Sequence, residues 1–153
     1  MTVTNTPRIV NPSTSLQAVP VESVMHVGFF SCPLDTPLRS VARLMAERHV
    51  HCVVGFGEAG DGESRLWGVV SDVDVVTALA AGDGFATARE IASTEVVTIQ
   101  PQESVLAAAE LMRDHEVSHL LVVDRGTDRP IGIISTLDVL ALAGDIPPTA
   151  PRG

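Results

Sequence analysis

The stretch Gly68-Val69-Val70-Ser71-Asp72-Val73-Asp74-Val75 returns in nearly the same form as Gly132-Ile133-Ile134-Ser135-Thr136-Leu137-Asp138-Val139. Each copy consists of a glycine, two β-branched apolar residues, a serine, two variable positions, an aspartate and a valine. The apolar pair is typical of a buried strand, and a serine followed three residues later by an acid is typical of a helix N-terminus. Each copy therefore predicts a strand that runs directly into a helix, and the recurrence indicates an internal duplication.

The duplication extends to a longer helix that precedes each copy. Apolar residues at helical spacing form one stripe in the first half, and an equivalent stripe follows in the second half at a constant spacing along the chain. The two stripes are Leu38, Val41, Ala42, Met45 and Val105, Ala108, Ala109, Met112. The spacing between Gly68 and Gly132 is slightly shorter than that between Leu38 and Val105, so we place the difference in one predicted hairpin loop. For the first helix after a copy, we expect Val73, Val76 and Ala80 to face inward.

The order of the predicted elements gives an α+β fold made of two β-α-β-β-α repeats. A single repeat is too small to bury much apolar surface, so we expect the two sheets to pack together as one domain with pseudo-two-fold symmetry. The predicted segments are a flexible N-terminal tail (1–19), a first repeat (20–82), a second repeat (83–144) and a C-terminal tail (145–153).

The composition excludes several functions. A net charge of −9 argues against a nucleic-acid partner, which requires a basic surface. All ten basic residues are arginine, which excludes a Schiff-base lysine and a P-loop. No apolar run approaches the roughly 20 residues of a membrane helix, and the N-terminus lacks the pattern of a secretory signal. We therefore expect a cytoplasmic protein without membrane contact, with Cys32 and Cys52 reduced.

Two repeats that each end in this glycine-to-aspartate pattern resemble a tandem pair of CBS domains, the Bateman module, over about residues 20–144. The resemblance implies a stand-alone regulatory module, not itself an enzyme, that senses an adenosine-containing ligand held between the repeats. AMP, ADP or ATP is the first expectation and S-adenosylmethionine the second, and no cofactor is required. The resemblance further implies a homodimer formed through the helices and an effector protein that responds to the ligand.

The resemblance also assigns roles to individual residues. Asp74 and Asp138 would accept hydrogen bonds from ribose hydroxyls, and Ser71 and Ser135 would lie where the ligand approaches a helix N-terminus. The base would be held by two short segments of a repeat. These are Val97, Thr98, Ser118 and His119 in the second repeat, with Phe30, Ser31, His51 and Cys52 as weaker counterparts in the first. A carboxylate suits a cis-diol and the N–H groups of a helix start suit a phosphate, although helix capping alone also explains each Ser–Asp pair.

The two copies differ at the first helical position. Thr136 is neutral there, whereas Asp72 adds a second carboxylate that would repel a phosphate. If only one cleft holds a phosphorylated ligand, we expect it to be the cleft around Asp138. A ligand with less negative charge would suit the cleft around Asp74 better.

Two other kinds of function remain open from the sequence. His49, His51 and Cys52 lie close together, and such residues could contribute to a zinc site in a metal-binding stress protein. A strand would place His51 and Cys52 on opposite faces, so no metal ligand is assigned. The other function is a protein-interaction scaffold without a ligand. Catalysis is not indicated, because no serine or cysteine lies in a nucleophile motif such as G-x-S-x-G.

Overall fold

The strand ahead of each Ser–Asp pair lies in one of two sheets, and each repeat contributes most of one sheet. The computed structural model describes residues 11–58, 62 and 64–145. In chain order the elements are α1 (Pro12–Ala18), a 3-10 turn (Val21–Ser23), β1 (His26–Val27), β2 (Ser31–Pro33), α2 (Leu38–Arg48), β3 (Cys52–Glu58), β4 (Ser64–Ser71), α3 (Asp72–Ala80), α4 (Ala88–Ile91), β5 (Thr98–Ile99), α5 (Val105–His115), β6 (His119–Val123), β7 (Pro130–Ser135) and α6 (Thr136–Ala143).

The two sheets have corresponding topologies. One has the strand order β2-β3-β4, and the other has the order β1-β7-β6-β5. In each sheet the hairpin strands are antiparallel, and a short strand, β2 or β5, runs parallel to the first strand of the hairpin. The order of elements confirms the predicted α+β fold of two β-α-β-β-α repeats.

The segment that opens each repeat pairs with the sheet of the other repeat. In β1, His26 lies opposite Ile133 on β7. Ser93, the counterpart of His26 in the second half, exchanges two backbone hydrogen bonds with Val69 on β4, at 2.9 and 3.0 Å. We call this arrangement the reciprocal exchange. It explains the glycine that opens each repeated stretch, because a Cβ atom at Gly68 or Gly132 would collide with the backbone of the crossing segment.

The core has one cluster in each repeat and a third between the sheets. The predicted apolar stripes lie in the first two clusters, with Leu38, Val41 and Met45 buried in one and Val105, Ala108 and Met112 in the other. The third cluster contains Val54, Leu121 and Val123, with Phe56 and Ile133 packed against it. The sheets therefore pack against each other as predicted.

The N-terminal segment differs from the sequence prediction. Residues 12–18, predicted as part of a flexible tail, form helix α1, and Leu16 is buried in the cluster of the second repeat. The side chain of Asn11 accepts a hydrogen bond from the backbone N–H of Ser13 at 3.0 Å, and Pro12 occupies the first helical position. Both residues favour a helix start, which outweighs the polar composition of the segment. Residues 1–10 and 146–153 of the predicted tails lie outside the described residues.

The predicted inner face of α3 is wrong. Val75 and Ala78 are buried, whereas Val73 and Val76 remain 65% and 63% exposed and Ala80 is also exposed. Apolar residues occur on every side of this helix, so their spacing does not identify the packed face. The face of α3 that packs on the core is determined instead by strand β4, which runs into the helix at Ser71.

Candidate functional site

A cavity of about 700 Å³ lies between the two repeats, and we call it the Asp74 cleft. The first repeat contributes the junction of β4 and α3, with Ser71 and Asp74, and the segment after it contributes Ser93. The second repeat contributes Val97, the start of β6 and the C-terminal end of α5. Because both repeats supply walls, a bound molecule would bridge them.

Asp74 is held by the helix that it begins. Its backbone N–H donates to Ser71 Oγ at 3.1 Å, and its Oδ2 accepts the backbone N–H of Ser71 at 2.8 Å. This reciprocal pair is a capping box, which orients the carboxylate at the cleft. Within the described part of the chain, no hydrogen bond or ion pair reaches Oδ1 of Asp74. That oxygen is therefore available to a ligand hydroxyl.

His119 lies in the same cleft, and its imidazole is partly buried there. Burial lowers its pKa, and this effect outweighs the opposing influence of the Asp72 and Asp138 carboxylates. Its Nδ1 atom is 2.9 Å from Ser118 Oγ. A neutral imidazole at neutral pH can serve as hydrogen-bond donor or acceptor to a base without adding charge.

The rim of the cleft is acidic. Glu95 and Glu116 line it together with Asp74. Arg113 also lines it, but its Nε donates to Asp114 Oδ1 at 2.8 Å, and His115 Nδ1 is 3.7 Å from Glu95 Oε1. Arg113 thus already has an acidic partner, and His115 carries charge only when protonated, so the cleft suits a ligand with few negative charges.

Cys52 lines the cleft, but its thiol is unreactive. Burial, reinforced by the Asp74 and Asp72 carboxylates, raises the pKa of its thiol to about 12. The thiol is therefore protonated at neutral pH, which disfavours both nucleophilic attack and metal binding. In the portion of the chain described by the structure, no group of three or more His, Cys, Asp or Glu side chains is arranged to hold a metal ion.

Asp138, the counterpart of Asp74, has both carboxylate oxygens engaged. Its Oδ2 accepts the backbone N–H of Ser135 at 2.8 Å and the Ser135 hydroxyl at 3.0 Å. Its Oδ1 is 3.0 Å from Nε2 of His26, which belongs to β1. The side chain of Asp138 is only 12% exposed. No pattern in the sequence indicates the His26 contact.

The predicted site residues fall into two groups. Ser71, Asp74, Val97, Ser118 and His119 line the Asp74 cleft together. The residues that do not line it are Asp138, Ser135, Thr136, Thr98 and His51. Val97, Ser118 and His119 thus share a cavity with the aspartate of the first repeat and not with that of their own. Their contacts with a ligand remain predictions.

His51 and Asp72, which no sequence pattern links, form a pair. His51 Nδ1 is 2.8 Å from Asp72 Oδ2, and both side chains are largely exposed. The repulsion that the sequence predicts from Asp72 is therefore reduced whenever His51 is protonated.

Sequence reasoning did not identify the contributions of Ser93, Glu95 and the end of α5. Ser93 lies in the cleft because the opening segment of the second repeat crosses to β4. The constant spacing between the halves marks Ser93 as the counterpart of His26, but it does not reveal that both residues cross to the other repeat.

The family model of the CBS domain matches residues 21–81 and 88–145. The chain therefore belongs to the CBS domain family and contains two copies of the domain. These boundaries follow the two repeats of the structure. No helix among the described residues is long and apolar enough to cross a membrane.

Among the similar proteins are a curated relative and two solved structures. The chain is 30% identical over 134 residues to a homoserine O-acetyltransferase of Methanohalophilus mahii, a match that covers 86% of this chain and 26% of the relative. It therefore spans about a quarter of that enzyme's length. It is 28% identical to the CBS domain protein PAE2072 from Pyrobaculum aerophilum complexed with AMP, covering 82% of this chain and 99% of the other, with a TM-score of 0.69.

The second structure is that of Hypoxic Response Protein I with two coordinated zinc ions. It is 25% identical, with coverage of 80% of this chain and 97% of the other and a TM-score of 0.62. Similar structures thus include one complexed with AMP and one with zinc.

Proposed function

We propose that this chain is a regulatory module that binds an adenosine-containing ligand, with AMP as the first candidate, in the Asp74 cleft. The observation that carries the proposal is a cavity of about 700 Å³ that contains a capped aspartate with one carboxylate oxygen unused. The similarity to a CBS protein complexed with AMP supports this ligand class. The module is not itself an enzyme, and the acetyltransferase match covers only 26% of that enzyme.

The residues of the cleft suggest how such a ligand is held. Oδ1 of Asp74 accepts the ribose hydroxyls, as acidic residues do in dinucleotide-binding folds. The N–H groups of Asp72, Val73 and Asp74 at the start of α3 already have partners, so the helix dipole alone favours a single phosphate at this junction. Val97 and Val69 offer apolar surface to the purine, and His119 offers a neutral polar group.

Binding becomes a signal because the cleft has walls from both repeats. A ligand that contacts both walls stabilises the arrangement of repeats that fits it and shifts the population towards that arrangement. An effector protein that distinguishes the two arrangements then responds to the concentration of the ligand. S-adenosylmethionine, which carries less negative charge than ATP, is the second candidate.

Helices α3 and α6 provide the surface for a homodimer. Their apolar side chains Val73, Val76, Leu79, Leu137 and Leu140 are each at least half exposed. The two helices follow the two copies of the repeated stretch, so the exposed positions correspond, with Val73 and Val76 at the places of Leu137 and Leu140. A second copy of this chain covers this face and removes it from water.

The test is a thermal-unfolding panel with AMP, ADP, ATP, S-adenosylmethionine and zinc on the wild type and Asp74→Asn. A ligand at 100 times its dissociation constant adds about 2.7 kcal/mol, which is a shift of several degrees for a domain of this size. We expect a shift with AMP that Asp74→Asn largely removes. Asp124→Asn, at a turn outside the cleft, is the matched control and should keep the AMP shift.

Two outcomes contradict the proposal. Stabilisation by zinc with none by adenosyl ligands would support the metal-binding function, which the similarity to Hypoxic Response Protein I with two coordinated zinc ions makes a specific alternative. Stabilisation by no ligand would leave the scaffold function. In that case affinity capture of a protein partner becomes the informative experiment.

A further inference from the structure

The two repeats differ at one equivalent position that lies beside the aspartate. His26 and Ser93 are separated by the same spacing that relates Leu38 to Val105 in the long helices. Each lies in the segment that crosses to the other repeat, with His26 opposite Ile133 and Ser93 opposite Val69. The reciprocal exchange thus places His26 next to the Asp138 junction and Ser93 next to the Asp74 junction.

His26 contacts the aspartate beside it, whereas Ser93 does not. His26 Nε2 lies 3.0 Å from Asp138 Oδ1, the carboxylate oxygen that the Ser135 cap leaves unused. Ser93 lines the Asp74 cleft, but among the contacts of the described residues none joins its side chain to Asp74. The equivalent carboxylate oxygen is therefore engaged in one junction and available in the other.

A second position reinforces this difference. Phe30 is the counterpart of Val97 at the same spacing. The Arg48 guanidinium lies 5.5 Å from the centre of the Phe30 ring, an attractive cation–π contact. Val97 forms an apolar wall of the Asp74 cleft, whereas its counterpart Phe30 is larger and lies under the Arg48 guanidinium.

We propose that His26 is a built-in occupant of the Asp138 junction, which makes this module bind one adenosyl ligand per chain, at Asp74. A ribose diol at Asp138 would have to displace the His26 imidazole from a carboxylate that is only 12% exposed, so the lost His26–Asp138 contact offsets the hydrogen bonds that the diol donates. Asp74 requires no such displacement. The proposal extends the proposed function, because it concerns how many of the two junctions accept that ligand and which residue decides.

The experiment is isothermal titration calorimetry with AMP on the full chain. We expect one AMP per wild-type chain. His26→Ser, which introduces the serine of the equivalent position, should bind two, and His26→Ser/Asp138→Asn should return to one. Ser93→His is the reciprocal substitution and should weaken binding at Asp74 at least about tenfold, whereas Ser93→Ala should retain it. Phe30→Val combined with His26→Ser tests whether the larger side chain also blocks the second junction.

The outcomes separate this inference from the proposed function. Two AMP molecules per wild-type chain would overturn the role of His26 and leave the proposed function intact. Binding of a single AMP by the wild type, by His26→Ser and by His26→Ser/Phe30→Val would also overturn the role of His26 and leave the proposed function intact. Binding by His26→Ser alone would uphold the role of His26 and overturn the assignment to Asp74. Binding by no variant would overturn both, provided that each variant unfolds cooperatively.

Discussion

The partly buried imidazole of His119 makes the stability of the folded state depend on pH. Burial lowers its pKa, while Asp72 and Asp138 act in the opposite direction and His51 acts in the same direction as burial. The imidazole is therefore neutral in the folded protein at a pH where an exposed histidine begins to take up a proton.

This shift predicts acid sensitivity. Because the folded pKa lies below the unfolded value of 6.5, the unfolded chain binds more protons between these two values. The free energy of unfolding should thus fall as the pH decreases through 6.5, by at most about 1.4 kcal/mol per pH unit from this residue. Urea unfolding at pH 7.5, 6.5 and 5.5 measures it.

The matched variants are His119→Asn and His49→Asn. His119→Asn should flatten the pH dependence, whereas His49→Asn should leave it unchanged. His49 is exposed and has a positive φ of 54°, a conformation that asparagine tolerates. Equal pH dependence in the wild type and His119→Asn would show that other groups cause the acid sensitivity.

The sequence predicted the local role of the Ser–Asp pairs and not the difference between them. Both pairs form the expected capping boxes, at Ser71–Asp74 and at Ser135–Asp138. Which carboxylate has a free oxygen depends on His26, far away in the chain. Periodicity and local spacing carry no information about that contact. The sequence favoured Asp138 for a phosphorylated ligand because Asp72 adds a carboxylate beside Asp74, whereas our proposal places the ligand at Asp74 because His26 engages Asp138.

At the scale of elements, α3 and α6 are apolar on two sides. One side packs on its own repeat, and the other exposes Val73, Val76 and Leu79 on α3 and Leu137 and Leu140 on α6. The sequence predicted both helices and their starting residues, because a strand followed by a capping serine is a strong local signal. It did not predict the rotation of α3, because its pattern allows either side to face the core.

The exposed face predicts a specific effect on assembly. Val76→Asp places a charge in the centre of the proposed dimer surface, and burying an unpaired carboxylate there should weaken dimerisation at least about tenfold. Size-exclusion chromatography with light scattering over a range of concentrations gives the dissociation constant. Thr77→Asp, at the next position of the same helix and also exposed, is the matched control.

A monomeric wild type would contradict the assignment of this face to a second copy. So would a Val76→Asp variant that dimerises as tightly as Thr77→Asp. Because position 76 is exposed in the chain itself, the folded state should tolerate either substitution.

At the scale of the whole molecule, charge determines which adenosyl ligands are favoured. The chain has a net charge of −9, and the cleft is lined by the carboxylates of Asp74, Glu95 and Glu116, whereas the Arg113 guanidinium beside them is already paired with Asp114. The field at the site is therefore negative, and each additional phosphate of a ligand raises the cost of binding.

We expect AMP to bind more tightly than ATP, by about tenfold at low salt, with the difference shrinking as salt screens the repulsion. Calorimetric titration with both nucleotides at about 20 mM and about 300 mM salt, between which electrostatic screening increases strongly, measures the difference in affinity. Glu95→Gln, at the rim, should improve ATP binding more than AMP binding. Glu110→Gln, on α5 outside the cleft, should change neither, and equal affinities for ATP and AMP would contradict the electrostatic argument.

The reciprocal exchange has a consequence for how the chain folds as it is synthesised. His26 reaches its strand partner only when residue 133 has been made, so the first half of the nascent chain lacks a partner for β1 until the last sheet strand is complete. Contacts that join distant parts of a chain slow folding, because the loop must close before the contact stabilises it. The two repeats should therefore gain stability together in one late step, and a ribosome-bound chain that ends between them should remain open to proteases throughout its first repeat.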